Sequence, residues 1–276
     1  MTIIAVCLVF IGLIGLIASV RPAYIILHLS DYQHKGWLML VGMIGMFILG
    51  YIGFIYMLVD HMVSMLELVV AAIFCGGGAF VFVITCMSRQ TIGDLMRTLK
   101  DNYYQAHHDS LTGLDNRHQF YLDLEKMFGS QAPYFCCMML DLNKFKLIND
   151  NYGHSYGDHV LKVVAERLIN SVPEDAITAR LGGDELAVLL PGYDSDMAIR
   201  IAQTIQQSLL TPIEYEGATL SIGVSIGISQ YPTDGHDKTS LMINADIAMY
   251  QAKRNDSHYQ IYQPELSLDS VVGHEQ

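Results

Sequence analysis

Three carboxylates sit against the apolar grain of this sequence. Asp141 closes an apolar run over 134–142, while Asp184 and Glu185 follow Gly182-Gly183 between two short apolar runs, 176–181 and 185–190. If these runs are neighbouring strands, their ends gather the three acids. Repulsion among them would raise their pKa values unless a cation compensates. Oxygen donors without His or Cys nearby suit magnesium, which keeps some of its waters and binds substrate phosphates. The ordinary alternative is a polar turn with solvated acids, and spacing alone does not choose between them.

The elements that must position these residues follow from periodicity. The 134–142 run has the length and content of a buried strand. Leu161, Val164, Ala165 and Leu168 give the next segment a helical face, and Ile201, Ile205 and Leu209 mark another helix. Two glycines allow positive φ between the runs at 176–181 and 185–190, which predicts a tight hairpin. A further strand is expected over 220–228, then a helix over 240–254 capped by Thr239 or Ser240. Hairpins within an alternating pattern predict an α/β fold with a mixed, largely antiparallel central sheet flanked by helices.

Charge divides the chain. The net charge is −12, and after Lys100 there are eleven Lys/Arg against twenty-four Asp/Glu, so essentially all of it lies in the C-terminal part. An acidic domain repels a nucleic-acid backbone, which excludes nucleic acid as a partner. Any anionic substrate needs a cation between. The five cysteines do not form a disulfide framework: Cys7, Cys75 and Cys86 lie in apolar stretches. Cys136 and Cys137 are adjacent on a strand and point to opposite faces.

Three uncharged segments, 1–20, 36–59 and 68–87, have the roughly 20 residues a bilayer crossing needs. Together they predict a three-helix transmembrane region over 1–87. Nothing basic precedes the first run, so it reads as a retained helix rather than a cleaved signal. Arg21 and Lys35 are assigned to the first loop, Asp60 and Glu67 to the second, and Arg89, Arg97 and Lys100 follow the third span. Basic residues favour the cytoplasmic side, which puts the C-terminal domain in the cytoplasm. No ionisable residue lies mid-span, so an ion or proton pathway is not indicated. Gly76-Gly77-Gly78 lacks a following Lys-Ser/Thr and reads as a helix-packing site rather than a phosphate loop. A helical linker over 88–108 carries the stripe Ile92, Leu95, Met96, Leu99 and Tyr103; packing on the domain and a short coiled coil with a second chain both fit it. His107 and His108 have no ligand partners at suitable spacing and are expected to be solvated. The stretch 264–276 is a polar tail.

Five ordered blocks resemble the GGDEF family of diguanylate cyclases over 109–263. They are Asp109-Ser-Leu-Thr-Gly-Leu-Asp-Asn-Arg117; Asp141-Leu-Asn-Lys-Phe-Lys-Leu-Ile-Asn-Asp150 with Gly153-His-Ser-Tyr-Gly-Asp158; Arg180-Leu-Gly-Gly-Asp-Glu-Leu186; Ser225-Ile-Gly-Ile228; and Ala245-Asp-Ile-Ala-Met-Tyr-Gln-Ala-Lys253. The resemblance implies a palm-related α/β domain that joins two GTP into cyclic di-GMP as a homodimer, anchored in a bacterial inner membrane by several spans. It also implies that separate receptors read the product. By the same resemblance Asp141, the Leu142 carbonyl and Asp184 hold two Mg²⁺ ions, or Mn²⁺ in their place. Asn149 and Asp158 bond the guanine, His154 lies close to the nucleotide, and Lys146 and Lys253 meet phosphates. Asp184 accepts the 3′-hydroxyl proton with Glu185 beside it.

The chain departs from the family pattern at three places. Leu186 replaces a Phe, a packing position where the cost is small. Asp256-Ser257 stands where a Gly and a basic residue are usual, with Arg254 or His258 as stand-ins, and this leaves a catalytically silent GTP- or partner-binding domain as the alternative. Pro173 and Ala176 occupy the Arg-x-x-Asp positions of product-inhibited members, so no such feedback site is expected.

Overall fold

A computed structural model describes residues 1–29, 34–59, 62–129 and 133–265. Asp60, counted above in the second loop, and the tail beyond 265 lie outside the described residues. The chain divides into two compact units at Asp101/Asn102.

The first unit consists of α1 (Thr2–Leu29), α2 (His34–Val59) and most of α3 (Met65–His107). All three are long and apolar enough to cross a membrane. The loop assignment of Arg21 needs correcting: α1 continues to Leu29 through Arg21 and Pro22. A single charge does not stop a helix whose next turns, with Ala23, Ile26 and Leu27, are still buried. Of the three consecutive glycines, Gly78 makes the close helix crossing. A Cβ on Gly78 would overlap the Gly12 carbonyl of α1, whereas one on Gly76 would meet nothing. Tyr51 of α2 donates its hydroxyl to the Phe74 carbonyl at 2.6 Å.

The second unit is an α/β domain built from β1 (Asp115–Asn116), α4 (Arg117–Gly129), β2 (Phe135–Asn143), α5 (Phe145–Tyr152), α6 (His154–Ser171), β3 (Ile177–Gly182), β4 (Glu185–Pro191), α7 (Ser195–Leu209), β5 (Ile213–Tyr215), β6 (Ala218–Leu220), β7 (Gly223–Tyr231), α8 (Lys238–Arg254) and β8 (Tyr259–Ile261). The main sheet runs β1-β3-β4-β2-β7-β8. Its inner pairs are antiparallel and its two edge pairs parallel, which makes it the mixed, largely antiparallel sheet expected. β2 lies inside the sheet and is buried on both faces. Cys136, Met138 and Leu140 pack with Val164 and Leu168 of α6 and Ile205 of α7. Phe135, Cys137 and Met139 pack on the other face with Phe120 of α4 and Ala245 and Met249 of α8. The period-2 alternation thus splits the adjacent cysteines between two cores. Burial pushes both thiols up to about 12.

Two element boundaries differ from expectation. Most of the strand predicted over 220–228 is β7, which starts at Gly223, while Leu220 closes a separate strand, β6, folded back on β5. Glu216 and Gly217, at φ 46° and 82°, make the turn. Positive φ at both central residues suits a two-residue hairpin, and Glu gives little sequence warning of it. The cap of α8 is Asp237, whose carboxylate accepts from the Thr239 and Ser240 amides at 2.8 and 3.0 Å. Ser240 is the reciprocal partner of a capping box, not the cap. The histidines at the end of α3 are half-buried rather than solvated. His107 stacks on Tyr103, and His108 stacks on Tyr104 with Nδ1 3.1 Å from Asp115.

Candidate active site

The register of the inner strands brings the acids to one sheet end. Asp141 is paired across from Glu185, and the Leu142 amide donates to the Asp184 carbonyl at 3.3 Å. Side chains of cross-strand partners share a face, so Asp141 and Glu185 emerge together. Gly182 and Gly183, at φ 152° and 54°, turn the β3–β4 hairpin and leave Asp184 at its tip.

An arginine clamp shapes that tip. Arg180 donates through Nε and Nη2 to the Gly183 carbonyl at 3.0 and 2.8 Å, and through Nη1 to both Asp109 oxygens at 3.0 and 3.2 Å. Asp109 also accepts from the Thr112 amide and hydroxyl. Burial alone would raise the Asp109 pKa, but the Thr112 and Arg180 bonds outweigh it and hold the carboxyl below its ordinary value. A second arginine, Arg117, donates through Nε to the Leu181 carbonyl at 2.9 Å and pairs with Glu185 at 3.6 Å.

Lys253, expected to meet a phosphate, lies 2.6 Å from the Asp141 carboxylate. Its ammonium stands where a metal's charge would neutralise the same group. Among the described residues, no trio of His, Cys, Asp or Glu is gathered tightly enough to hold a metal by itself. The donor set is nevertheless oxygen-only and comes from two hydrogen-bonded strands, chemistry that suits a hard cation which also takes ligands from phosphate. The residues fit magnesium on that ground.

The expected base-reading residues occupy α5 and α6, whose junction is Gly153 at φ 90°. Asn149 is half-buried on α5; His154 and Asp158 are exposed on the first turns of α6, and Lys146 is exposed on α5. Gly157 makes room for Asn149, since a Cβ there would overlap the Asn149 Oδ1 and lie 2.9 Å from its Cγ.

Sequence reasoning assigned no role to Asp109, Arg117, Arg180 or Asp246. All four stand inside the motif blocks above, but their contacts are tertiary and invisible in spacing. Asp246 lines a cleft of about 280 Å³ with Arg117, Tyr121, Met139 and Glu185. Packing around its carboxyl, together with the charge of Asp141, raises the Asp246 pKa above the ordinary value. At the end of α8, Asp256 takes the left-handed conformation at φ 50°, and the Ser257 amide closes on the Ala252 carbonyl at 2.9 Å. The helix therefore ends as it would with glycine there, without the usual cation. Arg254, one of the two stand-ins, lies 6.0 Å from the Tyr250 ring centroid.

Comparison with known proteins gives consistent matches to the second unit. The family described as "Diguanylate cyclase, GGDEF domain" matches residues 106–258. Diguanylate cyclase TpbB of Pseudomonas aeruginosa (strain UCBPP-PA14) is 42% identical over 156 residues, covering 55% of this chain and 36% of TpbB. Signaling protein YkoW of Bacillus subtilis (strain 168) is 41% identical over 169 residues, covering 59% of this chain and 21% of YkoW. The chain thus spans well under two thirds of these curated relatives. Among solved structures, the isolated GGDEF domain of TpbB from P. aeruginosa (PAO1) aligns with a TM-score of 0.56 and 38% identity, covering 58% of this chain and 97% of that domain.

Proposed function

Because the chain belongs to the GGDEF diguanylate cyclase family, we propose that it is a membrane-anchored diguanylate cyclase that condenses two GTP into cyclic di-GMP and two pyrophosphates. The observation that carries this reading is the strand register that sets Asp141 opposite Glu185 with Leu142 bonded to Asp184.

Asn149 and Asp158 read the guanine: a carboxylate at Asp158 accepts from N1–H and the 2-amino group together, a pairing adenine cannot offer. Discrimination follows because the wrong base would leave the Asp158 carboxylate without those two donors. His154 lines the nucleotide. Lys146 places a point charge on the phosphates, and Lys253 joins it when it exchanges Asp141 for the triphosphate. Asp141, the Leu142 carbonyl and Asp184 would hold two Mg²⁺ ions, with Mn²⁺ an alternative; bound there, their charge would neutralise the triphosphate and lower the pKa of the attacking hydroxyl. Asp184 accepts the proton from the 3′-hydroxyl as that oxygen attacks the α-phosphate of the second nucleotide, with Glu185 beside it, held by Arg117.

Each domain binds one GTP, so two chains must face one another. Leu95, Met96, Leu99 and Tyr103 on α3 are exposed at spacings that suit a helical seam between copies. The three apolar helices anchor the chain in a bacterial inner membrane, with Arg89, Arg97 and Lys100 favouring a cytoplasmic domain.

The full chain in lipid nanodiscs, given GTP and Mg²⁺, should form cyclic di-GMP and lose that activity in Asp184→Asn. A second reading, a silent GTP- or partner-binding domain, draws on the Lys253–Asp141 contact and on Ser257 in place of a cation. GTP binding without any turnover would replace the first reading with the second.

A further inference from the structure

We infer that Asn116 is a positioning residue, tying the last turn of α3 to the first turn of α4 and, through β1, to the acidic hairpin. The inference deepens the cyclase reading and rests on it for its effect on turnover.

The end of an α-helix leaves its last carbonyls without intrahelical partners, and the start of the next leaves its first amides likewise. One side chain serves both ends here. The Asn116 amide nitrogen donates to the Ala106 carbonyl at 2.9 Å and lies 3.5 Å from that of Gln105. Its Oδ1 accepts from the Gln119 amide at 3.0 Å, an N-cap for α4. The backbone of the same residue pairs with Arg180 in the parallel β1–β3 ladder, and Arg180 is the residue that clamps Gly183. The next residue, Arg117, grips the Leu181 carbonyl and Glu185. From the α3 carbonyls to Asp184 and Glu185, each link is a hydrogen bond, an ion pair or one peptide step. The local polypeptide supports the same junction: Asp109 N donates to the Leu114 carbonyl at 2.8 Å, and His108 bridges to Asp115. A rotation or fraying of the final turn of α3 therefore acts on the hairpin through residues 115–117.

Asn116→Asp separates the two caps. A carboxylate still accepts from Gln119 N but cannot donate to Ala106 O, so α4 keeps its cap while α3 loses one. The experiment is hydrogen–deuterium exchange of the full chain in nanodiscs, read at 103–108, 118–124, 160–168 and 180–187, alongside initial rates over a range of GTP concentrations. Loss of one net hydrogen bond, about 1 kcal/mol, predicts exchange faster by roughly fivefold at 103–108. Exchange should also rise at 180–187 and stay at the wild-type rate at 118–124 and 160–168, with kcat reduced at constant KM.

Faster exchange at 103–108 with an unchanged hairpin overturns the link, as does unchanged exchange at 103–108. A rise across all four segments also overturns it, because Asn116 would then hold the whole domain together and not one route through it. A loosened hairpin with unchanged kcat and KM removes the role in turnover. If the wild-type chain makes no cyclic di-GMP, the cyclase reading fails, and the exchange pattern alone decides the link.

Discussion

Gly157→Ala tests the base-reading side of the site without replacing any residue proposed to contact substrate. The new methyl group would overlap Asn149 Oδ1, with Asn149 Cγ at 2.9 Å and Phe145 Cζ at 3.1 Å. The worst overlap is with the far end of a polar side chain, so Asn149 swings aside and the helices stay put. Replacing a helical glycine gains about 1 kcal/mol in propensity. Overpacking costs about 1–3 kcal/mol, at the lower end when the neighbour can move. The two nearly cancel, and the melting temperature should change by no more than about 2–4 °C, the shift that 1 kcal/mol makes in a chain of this size. On the proposed reading, displacing Asn149 removes a hydrogen bond to guanine worth about 0.5–1.5 kcal/mol, which predicts a KM for GTP higher by about two- to thirteenfold. The assay is the initial rate of cyclic di-GMP formation by the full chain in nanodiscs, paired with thermal unfolding. An unchanged KM would refute the reasoning. A fall in melting temperature beyond about 10 °C, some 3 kcal/mol, would show that the helices moved instead of Asn149.

Gly227→Ala should behave in the opposite way. Its Cβ would overlap the Ala245 carbonyl and the Met249 amide, backbone atoms of α8 that cannot step aside. Destabilisation of about 1–3 kcal/mol or more is expected in denaturant titration, with activity lost as α8 carries Lys253 out of reach of the triphosphate it is proposed to meet. Asp109→Asn should lower stability at pH 7 by about 1–3 kcal/mol, since it removes charge-assisted bonds to Thr112 and Arg180. The folded pKa of Asp109 lies below its unfolded value of about 3.9, so its contribution is present above that pH and is lost as pH falls through the folded pKa. Unfolding curves of wild type and variant should therefore differ at pH 7 and converge in the acid range. Cys136 and Cys137, with pKa values pushed to about 12, should resist iodoacetamide at pH 8 until the domain is denatured, as mass spectrometry can follow.

The central strand was legible because burial on both faces makes β2 a continuous apolar run that Asp141 interrupts. The hairpin was legible because Gly182-Gly183 has few other uses between two apolar runs. What sequence could not supply were contacts between distant segments. Nothing in the spacing of Asp109, Arg117 and Arg180 shows that two arginines converge on one turn. Lys253 reads as a phosphate ligand by motif, yet its ammonium finds the nearest carboxylate. The β5–β6 turn was missed because Glu216 adopts positive φ without the usual Asn or Asp signal. Asp237 was overlooked as the cap of α8 because Thr239 and Ser240 offered equally good hydroxyls one turn nearer the apolar pattern.

The main sheet ends on one side in β1, with two residues, and on the other in β8, with three. Edges this short present few unpaired amides and carbonyls to a passing chain, a common defence against strand addition. Two copies brought close in a membrane therefore have little opportunity to zip their sheets into one. On the proposed reading they would meet through side chains, in contacts free to form and release with nucleotide binding.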